Sequence, residues 1–312
     1  MKKIKQKIIE RMGTQITLSI VHPEAEKLLE QADHLLASYE NRFSANDFKS
    51  DLMAVNQQAG LNSVRVEPDL YELIQIGKEY SLSSNLALNI TIGPLIKLWK
   101  IGFTGAHVPE QREIEERLKL IDPADIELDA AKGTVYLTKK GMEIDLGALA
   151  KGYFADQLKT FFQKEGVKSG LIDLGGNVLT IGENQKHKDG YWRVGIQKPS
   201  PIRGDLAGAI LVKDKSVVTS GIYERSLKVN GKKYHHIFDS KTGFPIENEL
   251  ASITIVSDKS LDGELWTTMA FALSPTAVIQ HIDNIPGIEA LVITKANEVK
   301  ITRGLVPYVI LL

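Results

Sequence analysis

Apolar and polar positions alternate along residues 12–21, with Ile16, Leu18 and Ile20 on one face, and this spacing predicts a strand. From Pro23 to about Asn41 the apolar spacing lengthens to three and four, so that Leu28, Leu29, Ala32, Leu35, Leu36 and Tyr39 form one helical stripe. Residues 44–56 are polar and end in a short helical turn. Pro68 opens a helix from Leu70 to about Leu82 with Leu70, Leu73, Ile74 and Gly77 on its core face. Residues 85–105, rich in apolar and aromatic side chains and in glycine, read as a loop near a site, and residues 110–121 as a charged, solvated helix. The strands IELDA and TVYLT lead to a short apolar strand at Ile144 and Leu146, a turn at Gly147 and a helix over 147–165.

The second half is richer in strands. SGLIDLGG is followed by the pair VLTIG and YWRVGIQKP, joined by the polar hairpin loop NQKHKDG. AGAILVKDKSVVTSG and RSLKVNGKKYHHIFD read as strands, the second folded at the Asn230-Gly231 turn. ASITIVS leads to helices over 262–273 and 275–283, and the chain closes on LVITKANEVKITRG. Antiparallel hairpins with inserted helices predict an α+β fold of mixed sheets rather than a doubly wound parallel sheet. No repeat or flexible linker divides the chain. Residues 12–312 are expected to form one domain, whole or as two intimate lobes, with 1–11 a disordered or trimmed N-terminal segment.

Composition removes several function classes. A net charge of −1 with scattered Lys and Arg gives no footprint for nucleic acid. The absence of cysteine excludes disulfides, cysteine–zinc sites and thiol nucleophiles. No apolar run approaches the roughly 20 residues that span a bilayer. The basic start MKKIKQKIIERMGT is like a signal n-region but lacks an apolar h-region after it. Either a cytosolic protein or a mature, trimmed form of an exported one is expected.

Five segments carry candidate chemistry. EIDLGALAKGYFAD, residues 143–156, brings a glycine turn and Lys151 to a helix start, where backbone N–H groups and a point charge favour anionic oxygens. The same arrangement serves many ligand-free turns. DLGGNVLTIG places Gly175, Gly176 and Asn177 at a strand end, as a site of close ligand approach or as a tight turn. VVTSGIYER brings Thr219, Ser220 and Gly221 to another strand end, suited to phosphate or ribose or simply to a turn. In KKYHHIFDSKTGFP, His236 is a general base, an orienting group or a structural histidine, and His235 points to the opposite face. In LDGELWTTMAFAL, Glu264 and Thr268 share a helix face as hard oxygen ligands suited to Mg²⁺, with Asp262 as the competing carboxylate and capping as the plain alternative.

Taken in order, these segments resemble the ApbE family of flavin transferases, FAD:protein FMN transferases. The resemblance also rests on Met12-Gly13-Thr14, SANDFKSDLMAVN, NITIGPLIKLW at 89–99, WRVGIQKP at 192–199 and HIFDSKTGFP at 236–245. It implies a T-fold-like α+β enzyme that binds FAD with Mg²⁺. Such an enzyme moves the FMN half through a phosphoester onto a Thr or Ser of a target protein and releases AMP. By resemblance Met12 and Thr14 fall near FAD, the Ala148 carbonyl at the metal and Lys151 at the pyrophosphate. Gly175, Gly176, Asn177, Gly195, Gln197, Ser220 and Gly221 line the cofactor pocket, and His236 is the active-site histidine. The family's metal helix usually carries Asp and Thr four apart, where this chain has Glu264 and Thr268 with Asp262 two residues earlier. Ile222 stands where the family commonly has Asp.

The expected chemistry is Mg²⁺-dependent phosphoryl transfer with His236 as proton acceptor. The alternatives are an FAD pyrophosphatase giving FMN and AMP, and a non-catalytic flavin-binding protein. The partner is a flavin-accepting protein with a Thr or Ser acceptor motif. Resemblance places the protein on the outer face of the cytoplasmic membrane, lipid-anchored at full length, with the cytoplasm as the alternative. About 200° of helix separates Asp262 from Glu264 if the helix has already begun, which leaves Glu264 as the metal acid. If Asp262 precedes the first turn, it becomes the ligand.

Overall fold

Ahead of the first predicted strand lies another. β1 (Lys5–Arg11) pairs antiparallel with β2 (Thr14–Ile20) across the Met12-Gly13 turn, both of whose residues have positive φ. The computed structural model describes residues 4–83, 86–200 and 204–312. Residues 1–3 of the expected disordered segment lie outside these, but 5–11 are an ordered edge strand. Lys7 reaches Asp33 at 3.0 Å and also Glu30, and Arg11 reaches Asp33 at 2.6 Å, which ties β1 to helix α1 (Ala25–Phe43). The charge pattern that reads as a loose tail is one strand face turned to an acidic helix.

The chain continues through α2 (Asp51–Gln57), β3 (Val64–Arg65), α3 (Pro68–Ser83), α4 (Gly93–Trp99) and α5 (Gln111–Leu118). β4 (Ile126–Asp129), β5 (Thr134–Leu137), α6 (Ala150–Lys164), β6 (Ser169–Leu174), β7 (Val178–Gly182) and β8 (Trp192–Gln197) follow. Next come β9 (Leu206–Val212), β10 (Ser216–Gly221), β11 (Ser226–Val229), β12 (Lys232–His235) and β13 (Leu250–Ser257). The last elements are α7 (Ser260–Met269), α8 (Pro275–Ile282), β14 (Glu289–Thr294), β15 (Val299–Ile301) and β16 (Val309–Leu311).

An eight-stranded antiparallel sheet, ordered β1-β2-β6-β7-β10-β13-β14-β15, organises the molecule. Its period-two alternation separates two cores. Leu179 and Ile181 of β7 face α1 and α6, together with Ile16 and Leu18 of β2 and Leu158 and Phe162 of α6. Val178, Val217 and Val256 point to the other face, onto Trp192, Val194 and Ile210 of the small sheet β16-β9-β8. α8 covers the β13–β14 end of the large sheet through Val278 and Ile282. The expected α+β class of mixed sheets with inserted helices is the observed one.

Two expectations change. Residues 86–105 are not all loop, because Gly93–Trp99 is a helix with Pro94 in its first turn (Asn85, the first residue of the expected loop, lies outside the described residues). Trp99 is fully buried, meets Tyr234 and Phe238 at tilted angles and Phe244 edge-on, and donates its indole N–H to the Gly243 carbonyl at 3.0 Å. A helix buried in a satellite core lacks the amphipathic stripe that sequence spacing detects. The second change concerns Ile144 to Leu146, which joins no strand ladder among the described residues. The Ile144 N–H donates to Asn56 Oδ1 at 2.8 Å and the Asp145 N–H to the Ile90 carbonyl at 2.9 Å.

Candidate active site

Two helix starts meet at the centre of the site. α6 begins at Ala150, and Leu149 before it supplies no side-chain cap. α7 begins at Ser260, and Lys259 before it supplies no side-chain cap. Each helix is completed by an acid of the other. Asp156 of α6 accepts from the Ser260 N–H at 2.7 Å and the Leu261 N–H at 2.9 Å. Glu264 of α7 packs its stem against Gly152 in the first turn of α6, whose N–H lowers the pKa of its carboxylate. Carboxylates at helix N-termini satisfy orphan donors and complement the helix dipole.

Gly152 sets how closely the helices approach. A Cβ there would stand 2.6 Å from the Ser260 carbonyl oxygen and 2.7 Å from Glu264 Cγ. Only glycine permits this crossing, and it lays the Glu264 stem on the first turn of α6. Lys151 Nζ is then 4.0 Å from Glu264 Oε1. The Asn177 amide donates to Glu264 Oε1 at 2.8 Å, and the Ser260 hydroxyl donates to Asn177 Oδ1 at 2.6 Å. The Ser260 bond orients the amide so that its NH₂ meets the carboxylate. Glu264 is 5% exposed and Asn177 2%. Burial raises the Glu264 pKa, while Lys151, Asn177 and the Gly152 N–H oppose the rise. Burial also pushes Asp156 up to about 6, against its two N–H bonds and with the repulsion of Asp262.

Asp262 stands apart from Glu264. It is the third residue of a helix that has already begun, about 200° around the axis. It is half-buried near Asp258 and Lys259. Thr268 lies one turn after Glu264 and is partly exposed. Its neighbour Thr267 is fully buried and donates to the Glu264 carbonyl at 3.1 Å.

The two histidines divide as their alternation predicts. His235 is buried, accepts the Ile237 N–H at Nδ1 (3.2 Å), and therefore carries its proton on Nε2, which donates to the Ile246 carbonyl at 2.8 Å. Both ring nitrogens are committed to structure, and burial pushes its pKa down to about 4. His236 is half-buried with Nδ1 3.2 Å from the Arg225 carbonyl. A carbonyl only accepts, so Nδ1 carries the proton and Nε2 keeps its lone pair. Burial, then the charges of Arg225, His235 and Lys151, push His236 down to about 4, which leaves it neutral near pH 7. Trp99, through Gly243 and its aromatic neighbours, fixes the segment that presents this ring.

The remaining predicted residues are distributed around this centre. Gly175 and Gly176 have φ of +69° and +98°, and a Cβ on Gly175 would stand 2.1 Å from Thr14 Oγ1. The glycine turn and the β1–β2 turn are therefore in contact. Met12, with φ of 54°, donates its N–H to Glu40 Oε1 at 2.6 Å. Ser220 and Gly221 end β10, which pairs with β7, the strand that leaves the Gly175-Gly176 turn. Gly195 and Gln197 lie on the separate sheet, with Gly195 on its exposed face and Gln197 Oε1 accepting from the Gly204 N–H at 2.8 Å. Asp156, Ser260 and Trp99 were not singled out from sequence. Asp156 lies inside the quoted lysine motif, but its partners are more than a hundred residues away.

The donor set suits a hard cation. Among the described residues no three His, Asp or Glu side chains converge. Glu264 is a single buried carboxylate, and Mg²⁺ needs few protein ligands because it takes most of its ligands from water and phosphate. A carboxylate has about four lone-pair positions, so its bond to Asn177 leaves room for an ion.

The ApbE family model matches residues 12–292, and the chain belongs to the ApbE family. An FAD:protein FMN transferase of Klebsiella pneumoniae (strain 342) is 39% identical over 288 residues, which are 92% of this chain and 88% of that protein. One of Treponema pallidum (strain Nichols) is 35% identical over 294 residues, 91% of this chain and 81% of that protein. The crystal structure of the ApbE protein of Thermotoga maritima has a TM-score of 0.89 at 25% identity, covering 98% of this chain and 99% of that one. The apo flavinyl transferase ApbE of Pseudomonas stutzeri has the same fold, with a TM-score of 0.83 at 23% identity over 98% of this chain and 96% of that one.

Proposed function

We propose that this protein is an FAD:protein FMN transferase. A Thr or Ser hydroxyl of an acceptor protein attacks the FMN phosphorus of FAD. The new Oγ–P bond forms as the P–O bond of the pyrophosphate breaks, and AMP leaves with the electron pair. His236 Nε2 takes the hydroxyl proton. The observation that carries this reading is the His236 tautomer, with Nδ1 spent on the Arg225 carbonyl and Nε2 basic, in a site where Lys151 supplies positive charge. Phosphate brought beside the ring favours the imidazolium and raises its pKa toward the working range, where a general base is most effective.

Glu264, Thr268 and the Ala148 carbonyl would hold Mg²⁺, which supplies charge neutralisation at the pyrophosphate. Lys151 orients the same group. The glycine turn at 175–176, with Thr14 against it, lets the cofactor approach the backbone. Asn177 acts from behind the pocket wall, by orienting Glu264. The resemblance alone supports a lipid-anchored location on the outer face of the cytoplasmic membrane. No helix among the described residues is long and apolar enough to cross a membrane. Recovery of the full-length product in the cytosolic fraction would overturn that location.

The test combines purified protein, FAD, Mg²⁺ and a candidate acceptor. Transfer gives a flavin-fluorescent acceptor band that survives denaturation. AMP release that ignores the acceptor would point to hydrolysis, and intact FAD after long incubation to binding alone.

A further inference from the structure

Arg225 closes the segment VVTSGIYER, yet the mechanism above uses only its carbonyl. Its side chain is exposed and forms no ion pair among the described residues. An exposed arginine is ordinarily solvated surface, and three features set this one apart. Its stem lies against Gly102, where φ is +87° and a Cβ would stand 2.9 Å from Arg225 Cδ. Its guanidinium carbon is 5.8 Å from the centroid of the Phe103 ring, which offers it a π face. Its carbonyl holds His236 at 3.2 Å, and its charge reaches both His236 and Asp145, the residue that turns the chain into α6 by accepting the Gly147 N–H at 2.7 Å. The backbone makes room for the stem, an aromatic ring flanks the head, and the N–H fork is unspent beside the proton acceptor.

We propose that Arg225 contacts the phosphate oxygens of bound FAD and shares the pyrophosphate charge with Lys151. The inference rests on the flavin-transfer reading. A guanidinium offers a planar pair of N–H donors to one phosphate, which a lysine cannot do. Arg225 would then play two parts through one residue: its carbonyl fixes the His236 tautomer, and its head group meets the phosphate that the acceptor attacks.

The experiment is a flavin-fluorescence titration of the whole protein without acceptor, using FAD and riboflavin as probes. Arg225→Gln keeps most of the stem over Gly102 and removes the charge. It should weaken FAD binding roughly 10- to 100-fold, the range for a lost charge-assisted bond, and leave riboflavin binding unchanged. Arg225→Lys should recover only part of the FAD affinity. The acid limb of kcat/KM should also move to higher pH in Arg225→Gln, because a cation facing His236 is gone while His235 and Lys151 remain, and return in Arg225→Lys. Gly102→Ala, which displaces the stem without touching the arginine, should reproduce the FAD defect. Unchanged FAD affinity in a natively melting Arg225→Gln, or equal losses for FAD and riboflavin, would overturn the proposal. A wild-type protein that binds neither flavin would instead sink the transfer reading itself.

Discussion

At Glu264 a carboxylate is taken almost wholly out of water, which costs several kcal/mol unless partners compensate. Asn177, Lys151 and the Gly152 N–H do so. This set holds an acid beside Lys151 at the proposed pyrophosphate position, and its isostere should separate binding from chemistry. Glu264→Gln is expected to lower Mg²⁺-dependent AMP release by roughly 100-fold or more, the scale of losing one electrostatic contact in a reacting site. FAD binding should be partly retained. Asp262→Asn should be milder, because α7 has begun by Ser260 and Asp262 points elsewhere. Steady-state AMP release across Mg²⁺ concentrations measures both, and the reverse ranking would move the metal site to Asp262. Sequence spacing alone distinguished the two acids only conditionally, since a helix start is uncertain by one or two residues. The role of Asn177 was not legible at all. Its amide is oriented by Ser260, 83 positions away, and no local pattern encodes that.

Among elements, the α6–α7 crossing decides the site. Asp156 and Glu264 each complete the other's helix, so a displacement of one helix is felt at both. Gly152→Ala tests this. Alanine favours a helix interior by about 0.5–1 kcal/mol over glycine. The added methyl would, however, stand 2.6 Å from a backbone oxygen, and backbone yields less readily than a side-chain end. Overpacking of this kind costs about 1–3 kcal/mol, so a net loss is expected, seen as a lower thermal midpoint together with weakened transfer. An unchanged midpoint with full activity would show that the crossing is slack. The lysine helix and the acid helix were both legible from period and glycine placement, whereas their mutual capping was not. α4 escaped notice for another reason. Leu95, Trp99 and their neighbours face a satellite core on several sides, so the segment shows no stripe. β1 escaped because its charges read as solvated when they are paired with α1.

For the molecule as a whole, acid sensitivity follows from the two histidines. Both are pushed down to about 4 by burial, below the usual value of about 6.5. As pH falls through that interval the unfolded chain takes up protons first. Their contribution is therefore complete above about pH 6.5 and is lost progressively toward pH 4. Asp156, raised to about 6, works in the opposite direction and favours the folded state as pH falls through 6. Glu264, Asp145 and Asp262, also raised by burial, work in the same direction as Asp156, so the histidine contribution is read by difference. Between neutral pH and about pH 4.5 the urea midpoint should drop further in the wild type than in His235→Asn. An equal drop would assign the effect to other groups.

In the proposed reaction one site, built where α6 meets α7 and faced by His236, moves the FMN half of FAD to a protein hydroxyl and releases AMP. The most direct measurement is the ratio of AMP released to flavin bound covalently on the acceptor, determined on the same samples. One AMP is expected for each flavin, with both lost together in His236→Ala while FAD still binds. AMP release that exceeds acceptor-bound flavin, or that persists in His236→Ala at the wild-type rate, would contradict it.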